Sequence, residues 1–169
     1  IKHGNTNRQV ETPSDILKVI KSLYENLYKA PNDIGNSTMK NNFIHEDDIP
    51  KLSAADRLSC EGELSVSELT EALLSLNQDS APGSDGLTPA FYKHFWGKLQ
   101  RPFLDSLHES VNTGKLTFSQ RRGTITLIHK GKNLDRNDLS NYRPITLTNT
   151  DYKIITKAMA SRLQNVYRK

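Results

Sequence analysis

Four helix starts are written into the first ninety residues, and they limit what the chain can build. Thr12-Pro13 and Thr88-Pro89 each put a hydroxyl, able to accept from an unpaired helix N–H, just before a proline. The proline ring already holds φ near its helical value, and its missing N–H costs nothing in a first turn. Ser65 stands three residues before Glu68, the spacing of a capping box in which each side chain reaches the other's backbone. Ser53 starts one more helix. Behind these starts apolar residues recur every three or four positions, as a helix with one covered face requires. Ile16, Leu17, Ile20, Leu23, Leu27 and Tyr28 follow the first, and Leu69, Leu73 and Leu76 follow Ser65. Phe91, Tyr92, Phe95, Trp96 and Leu99 follow Thr88. Pro102 is expected to begin a separate helix carrying Phe103, Leu107 and Val111, with Gly114 ending it.

The texture changes after Gly114. "GTITLIHK" (123–130) is β-branched and partly alternating, and "YRPITL" (142–147) is a second such run, so both read as strands. Pro144 fits a strand start or an edge, where no ladder N–H is missed. A polar loop joins the two. Asp151 then caps a closing helix with Ile154, Ile155, Ala158, Met159, Leu163 and Val166 on one face. The expected fold class is α+β and mostly helical: N-terminal helices, a short antiparallel hairpin and a closing helix. Residues 1–11 are polar and expected to be loose, and 31–52 read as a polar linker. "APGSDGL" (81–87) reads as two tight turns, with Gly83 able to take positive φ in the first and Ser84, Asp85 and Gly86 in the second.

Charge is unevenly spread. Residues 1–100 hold 10 Lys/Arg and 14 Asp/Glu, whereas 101–169 hold 13 and 5, so net −4 and net +8 give the overall +4. The basic half suits a polyanionic partner or a solvated basic face. No run approaches the roughly 18 apolar residues of a membrane span, so no membrane partner is expected. Cys60 is the single cysteine, which excludes an internal disulfide and fits a reducing, intracellular setting, nucleus or cytoplasm. The chain starts at Ile1 and stops within a helical pattern, as a piece of something longer would.

Few constellations carry chemistry. His3, His45, His94, His108 and His129 show no ligand spacing, and Cys60 has no partner, so no metal or cofactor is expected in this chain. "HEDD" at 45–48 could hold a cation only if rigidly presented, and it lies in the polar linker. Asp85 has no carboxylate partner in the sequence around it, and "APGSDGL" lacks the G-x-x-x-x-G-K-[ST] pattern of a phosphate loop, so it reads as a structural turn. Lys130 ends one strand and Arg143 starts the next. They form either a clamp for a triphosphate, point charge beside bidentate fork, or two exposed basic residues; spacing alone leaves both open.

In order along the chain, "APGSDGL" with Phe91-Tyr92-Lys93 and Phe95-Trp96, then "ITLIHKG", then "NYRPITL" running into Tyr152-Lys153-Ile154, Lys157, Ala160 and Arg162-Leu163, resemble the reverse transcriptase of LINE-type (non-LTR) retrotransposons. The resemblance covers roughly residues 65–165. It implies an N-terminal helical extension and linker over 1–64. Residues 65–169 would then be the start of the reverse transcriptase domain, a pre-fingers block and fingers, stopping before the palm. It places the family's triphosphate-contacting pair on Lys130 and Arg143. It makes Arg121, Arg122 and Lys132 contacts to a nucleic-acid backbone, and the 81–87 loop a lid near the template–primer. "LTFSQ" (116–120) and Gly131-Lys132 depart from the family's pattern around the first strand. The expected partners are an RNA template, a DNA primer and a deoxynucleoside triphosphate. Magnesium is expected for the complete enzyme, on palm aspartates outside this stretch, so no catalytic residue is assigned here and this piece alone is expected to be inactive. The alternatives are a stand-alone nucleic-acid-binding module or a helical interaction scaffold derived from a decayed element.

Overall fold

The computed structural model describes residues 2–3, 6–29, 51–131 and 133–167. "HEDD" and nearly all of the expected linker lie outside the described residues, as does Lys132. The chain divides into two compact units, residues 1–51 with 127–145 and residues 52–126 with 146–169. The architecture is mostly helical α+β, as the sequence predicts.

In the first unit, two short strands, β1 (Lys2–His3) and β2 (Thr6–Gln9), pair antiparallel with an irregularity at Lys2/His3. The sequence reading of a loose terminus is corrected here: strands this short carry no hydrophobic alternation, so only backbone pairing reveals them. Helix α1 (Pro13–Tyr28) starts as expected, with Thr12 Oγ1 accepting from Asp15 N and proline in the first turn. Its expected apolar face is not a core face. Leu17, Leu23, Leu27 and Tyr28 are exposed, and the one buried residue is Val19, which the pattern had left out. Periodicity shows which residues share a side but not whether anything covers that side.

The second unit is built around α3. Helix α2 (Ala54–Cys60) is capped by Ser53, whose hydroxyl accepts from Asp56 N. Helix α3 (Val66–Ser75) carries the full capping box: Glu68 N donates to Ser65 Oγ, and Ser65 N donates to Glu68 Oε2 at 2.8 Å. Leu69 and Leu73 are fully buried and meet Tyr92, Trp96, Leu104, Leu107, Ile154, Ile155 and Ala158 in one core. Trp96 anchors its edge through Nε1 donating to Thr70 Oγ1 at 2.8 Å, and its ring meets Phe103 edge-on. Lys93 Nζ donates to the Leu74 and Leu76 carbonyls, satisfying acceptors that the end of α3 leaves open.

Helix α4 runs unbroken from Pro89 to Thr113 with Pro102 inside it, so the expected break there is overturned. Proline removes one internal hydrogen bond and crowds the previous turn, at about 3 kcal/mol in an unconstrained helix. Continuity wins because Tyr92 and Trp96 on one side of Pro102, and Leu104 and Leu107 on the other, bury in the same core. Of the expected aromatic face, Phe91 and Phe95 stay at the surface against each other, 4.9 Å between ring centres. Gly114 ends the helix at φ 65°, its N–H reaching Val111 O while Lys115 N reaches Ser110 O, a Schellman closure. Pro102→Ala restores a donor at an exposed site and is expected to stabilise the fold. Because the surrounding turn is already set for proline, the gain should be about 1 kcal/mol. A rise in the urea midpoint checks it, and a fall would mean the ring packs productively.

Strand β3 (Gly123–His129) pairs with β4 (Tyr142–Thr148). Gly123 lies against Thr146–Thr148, and Lys130 N donates to Asn141 O, so the strands run antiparallel. The loop between them is ordered by its own side chains. Asp135 Oδ1 accepts from Asn137 N, and Asp138 Oδ1 accepts from Ser140 N at the start of the 3-10 turn Leu139–Asn141. Helix α5 (Thr150–Tyr167) closes the chain. Asn149, not Asp151, occupies its cap position, accepting from Lys153 N, and Asp151 falls in the first turn. Ile154, Ile155 and Ala158 bury as expected, while Met159 and Leu163 remain exposed.

Candidate nucleic-acid interface

The hairpin end carries the two residues singled out as a clamp. The rings of His129 and Tyr142 meet edge-on with centres 5.1 Å apart, so these residues share one side of the strand pair. Alternation along each strand then puts Ile128 and Arg143 on the other side, and Lys130 follows directly after β3. Lys130 Nζ donates to Ser140 O at 2.7 Å, which holds the ammonium beside the start of β4. Arg143 is exposed.

Arg121 and Arg122 lie on a tight turn in the second unit, just before β3. Arg121 N donates to Thr117 O and Arg122 N to Ser119 O, while Thr117 N donates to Gln120 Oε1. Gln120 is buried and hydrogen-bonds the Asp151 carboxylate, and buried Asn149 donates through Nδ2 to Ser119 O at 3.1 Å. The start of α5 therefore holds the turn from below. Both arginines point into solvent. Phe118, which the sequence reading treated only as part of a departure from pattern, lies beneath the Arg122 guanidinium at 5.2 Å from the ring centre. An aromatic three residues before a pair of arginines was the available signal.

The 81–87 loop is a structural turn docked on that same helix start. Lys153 Nζ donates to Ala81 O at 2.7 Å and Thr150 Oγ1 donates to Leu87 O at 2.6 Å, tying both ends. Gly86 N donates to Gly83 O, and Asp85 Oδ1 accepts from Leu87 N. Positive φ falls at Gly86 (73°) and not at Gly83. Gly83 is needed for another reason, since a Cβ there would lie 2.1 Å from Asn149 Oδ1 and 2.5 Å from its backbone nitrogen.

Asp85 has a carboxylate neighbour that the sequence did not reveal. Burial pushes the Asp151 carboxyl up, and the Asp85 charge adds to it. Burial, then the charges of Asp151 and Asp85, push the Tyr92 hydroxyl up to about 12. Two carboxylates and a neutral phenol are too few to hold a catalytic ion, and no group of three or more His, Cys, Asp or Glu residues is placed to do so among the described residues. A separate cavity of about 450 Å³ between α2, α4 and α5 is lined mostly by Leu64, Leu107, Val111, Ile155, Met159 and Leu163, an apolar surface unsuited to phosphate. No described helix is long and apolar enough to cross a membrane.

No protein-family model matches the chain. It is similar to the "Transposon TX1 uncharacterized 149 kDa protein" of Xenopus laevis, with 33% identity over 157 residues. The match takes in 93% of this chain and 12% of that protein, so the chain spans about one-eighth of its relative's length.

Proposed function

We propose that the chain is a stretch of a LINE-type retrotransposon reverse transcriptase that contributes contacts to the incoming nucleotide and to the template–primer. The full enzyme's reaction is RNA-templated DNA synthesis from deoxynucleoside triphosphates. The observation that carries the reading is the hairpin end, where Lys130, directly after β3, is held at Ser140 O, three residues before exposed Arg143 in β4. A compact ammonium held at the hairpin end and a planar fork with several donors together suit a triphosphate's oxygens. Similarity to a transposon protein through nearly the whole chain supports the source of the sequence. The basic second part of the chain supports a polyanionic partner.

In this reading Arg121 and Arg122 contact backbone phosphates, which position a strand without reading its sequence. Lys132 takes the same role as a proposal from sequence alone. The metal-dependent step belongs to residues other than the described ones, so the chain by itself binds and orients.

Titrating a labelled deoxynucleoside triphosphate into the chain bound to an RNA template with a DNA primer tests the clamp. Lys130→Ala and Arg143→Ala should each weaken triphosphate binding about tenfold, the scale of a lost charge-assisted hydrogen bond, and leave monophosphate binding nearly unchanged. Equal triphosphate binding by both variants and the unaltered chain would remove the clamp.

A further inference from the structure

We propose that Phe118, flanked by Arg121 and Arg122, is a stacking site for one unpaired nucleobase and its phosphate in a single-stranded nucleic acid. The site rests on the nucleic-acid reading above and adds what that reading lacks, a group that contacts a base.

Four observations converge on this turn. Phe118 is 69% exposed, although an isolated phenyl gains by being covered. The Arg122 guanidinium lies over the ring at 5.2 Å from its centre, so a second planar group can stack on the area left open. Neither Arg121 nor Arg122 forms an ion pair with a carboxylate among the described residues, so both charges are available to a phosphate. The turn is held before any ligand arrives, by Gln120 against Asp151 and by Asn149 against the Ser119 carbonyl. Such preorganisation lowers the ordering cost of binding.

The chemistry selects the ligand. A protein partner that captured Phe118 in a pocket would be favoured by apolar neighbours, but the exposed residues next to it in the chain, Thr117 and Ser119, are polar. A nucleobase offers a flat π-face to the ring and a phosphate within reach of a guanidinium, which matches the ring and charges together. Bases in a duplex have both faces occupied by their neighbours, so the site selects unpaired ones. Nothing on the turn reads a base edge, so the stacking should tolerate all four bases.

The test is binding of the whole chain to a short labelled single-stranded oligonucleotide, RNA and DNA in separate arms, across a salt series. Phe118→Ala should weaken binding about tenfold with no change in salt slope, because stacking releases no counterions. Arg121→Ala and Arg122→Ala should each make the slope shallower by about 0.7. On an oligonucleotide of the same length made of abasic sites, Phe118→Ala and the unaltered chain should bind alike. Phe118→Trp should keep the affinity and show emission quenched by the intact strand but not by the abasic one. Phe118 is exposed, so these variants should keep the fold, and an unchanged urea midpoint checks that. Full affinity of Phe118→Ala for the intact strand, or an equal loss on the abasic one, overturns the stacking site and leaves the nucleic-acid reading standing. No binding by the unaltered chain at low salt overturns both.

Discussion

Arg162→Ala is expected to cost about 3 kcal/mol of folding stability, read as a lower urea midpoint at neutral pH. The guanidinium grips Glu68 through two nitrogens, one contact at 2.9 Å, and also donates to Gly62 O at 2.8 Å and Glu63 O at 2.6 Å. Glu68 in turn accepts from Ser65 N, so one carboxylate closes the α3 cap and receives the arginine of α5. Both side chains are largely covered, at 16% and 31% exposed, so alanine would strand a carboxylate and two carbonyls that water reaches only partly. Arg162→Lys should recover only part of the loss, because a point charge cannot reach four acceptors in one plane. The pair Arg57–Glu61 supplies the contrast: both partners are mostly exposed, Arg57 in α2 and Glu61 at its end, and Arg57→Ala should cost at most about 0.5 kcal/mol. Equal losses for Arg57→Ala and Arg162→Ala would remove the special standing of the Arg162 site.

The same pair makes stability fall in acid. Hydrogen bonding from Arg162, aided by Ser65 and opposed by partial burial, holds the Glu68 carboxyl down to about 2 from its ordinary 4.5. Its folded-state value thus lies below its unfolded one. The contribution is complete above pH 4.5 and is lost as pH falls from there through about 2. A shift of that size has a ceiling of about 3 kcal/mol, which solvent access to Glu68 brings nearer to about 1 kcal/mol. Arg162→Ala should flatten this part of the acid profile.

Most local rules were legible in the sequence, though the cap fell at Asn149 and not Asp151 and positive φ at Gly86 and not Gly83, and long-range ones were not. Thr12, Ser53, Ser65 and Thr88 cap helices as expected because a cap is decided within four residues. The two strands and the Gly114 stop were equally readable, each set by its own β-branching or by a need for positive φ. Pro102 misled because its local penalty is smaller than the core burial of the residues around it. The α1 face misled for the reverse reason, its spacing being correct while its neighbours leave it uncovered. Arg162 and Glu68 stand 94 residues apart and Asp85 and Asp151 66 apart, so no window on the chain connects either pair. Phe118 carried no periodic signal, only its place just before two arginines, and its exposure beneath a guanidinium marks it out.

Gly83→Ala is expected to cost about 3 kcal/mol or more, above the usual range for a single added methyl. The new carbon would sit 2.1, 2.5 and 2.7 Å from Asn149 Oδ1, N and Cα. Two of these three atoms are backbone at the start of α5, where Asn149 O accepts from Lys153 N and Thr150 is fully buried, so they cannot yield. The Asn149 amide is no freer, since its Nδ2 is committed to Ser119 O. Relief requires the 81–87 loop to lift, which strains the bonds from Lys153 to Ala81 O and from Thr150 to Leu87 O. Because Asn149 also supports the Ser119 turn, the damage should reach Phe118, Arg121 and Arg122 and weaken single-strand binding as well. Gly86→Ala separates crowding from conformation. Gly86 has φ 73° and a Cβ there would meet nothing within 4 Å, so its cost is that of a left-handed alanine, about 1 kcal/mol. The expected order is therefore Gly83→Ala well below Gly86→Ala in urea midpoint. The reverse order would show that this loop is governed by backbone conformation and not by its contact with α5.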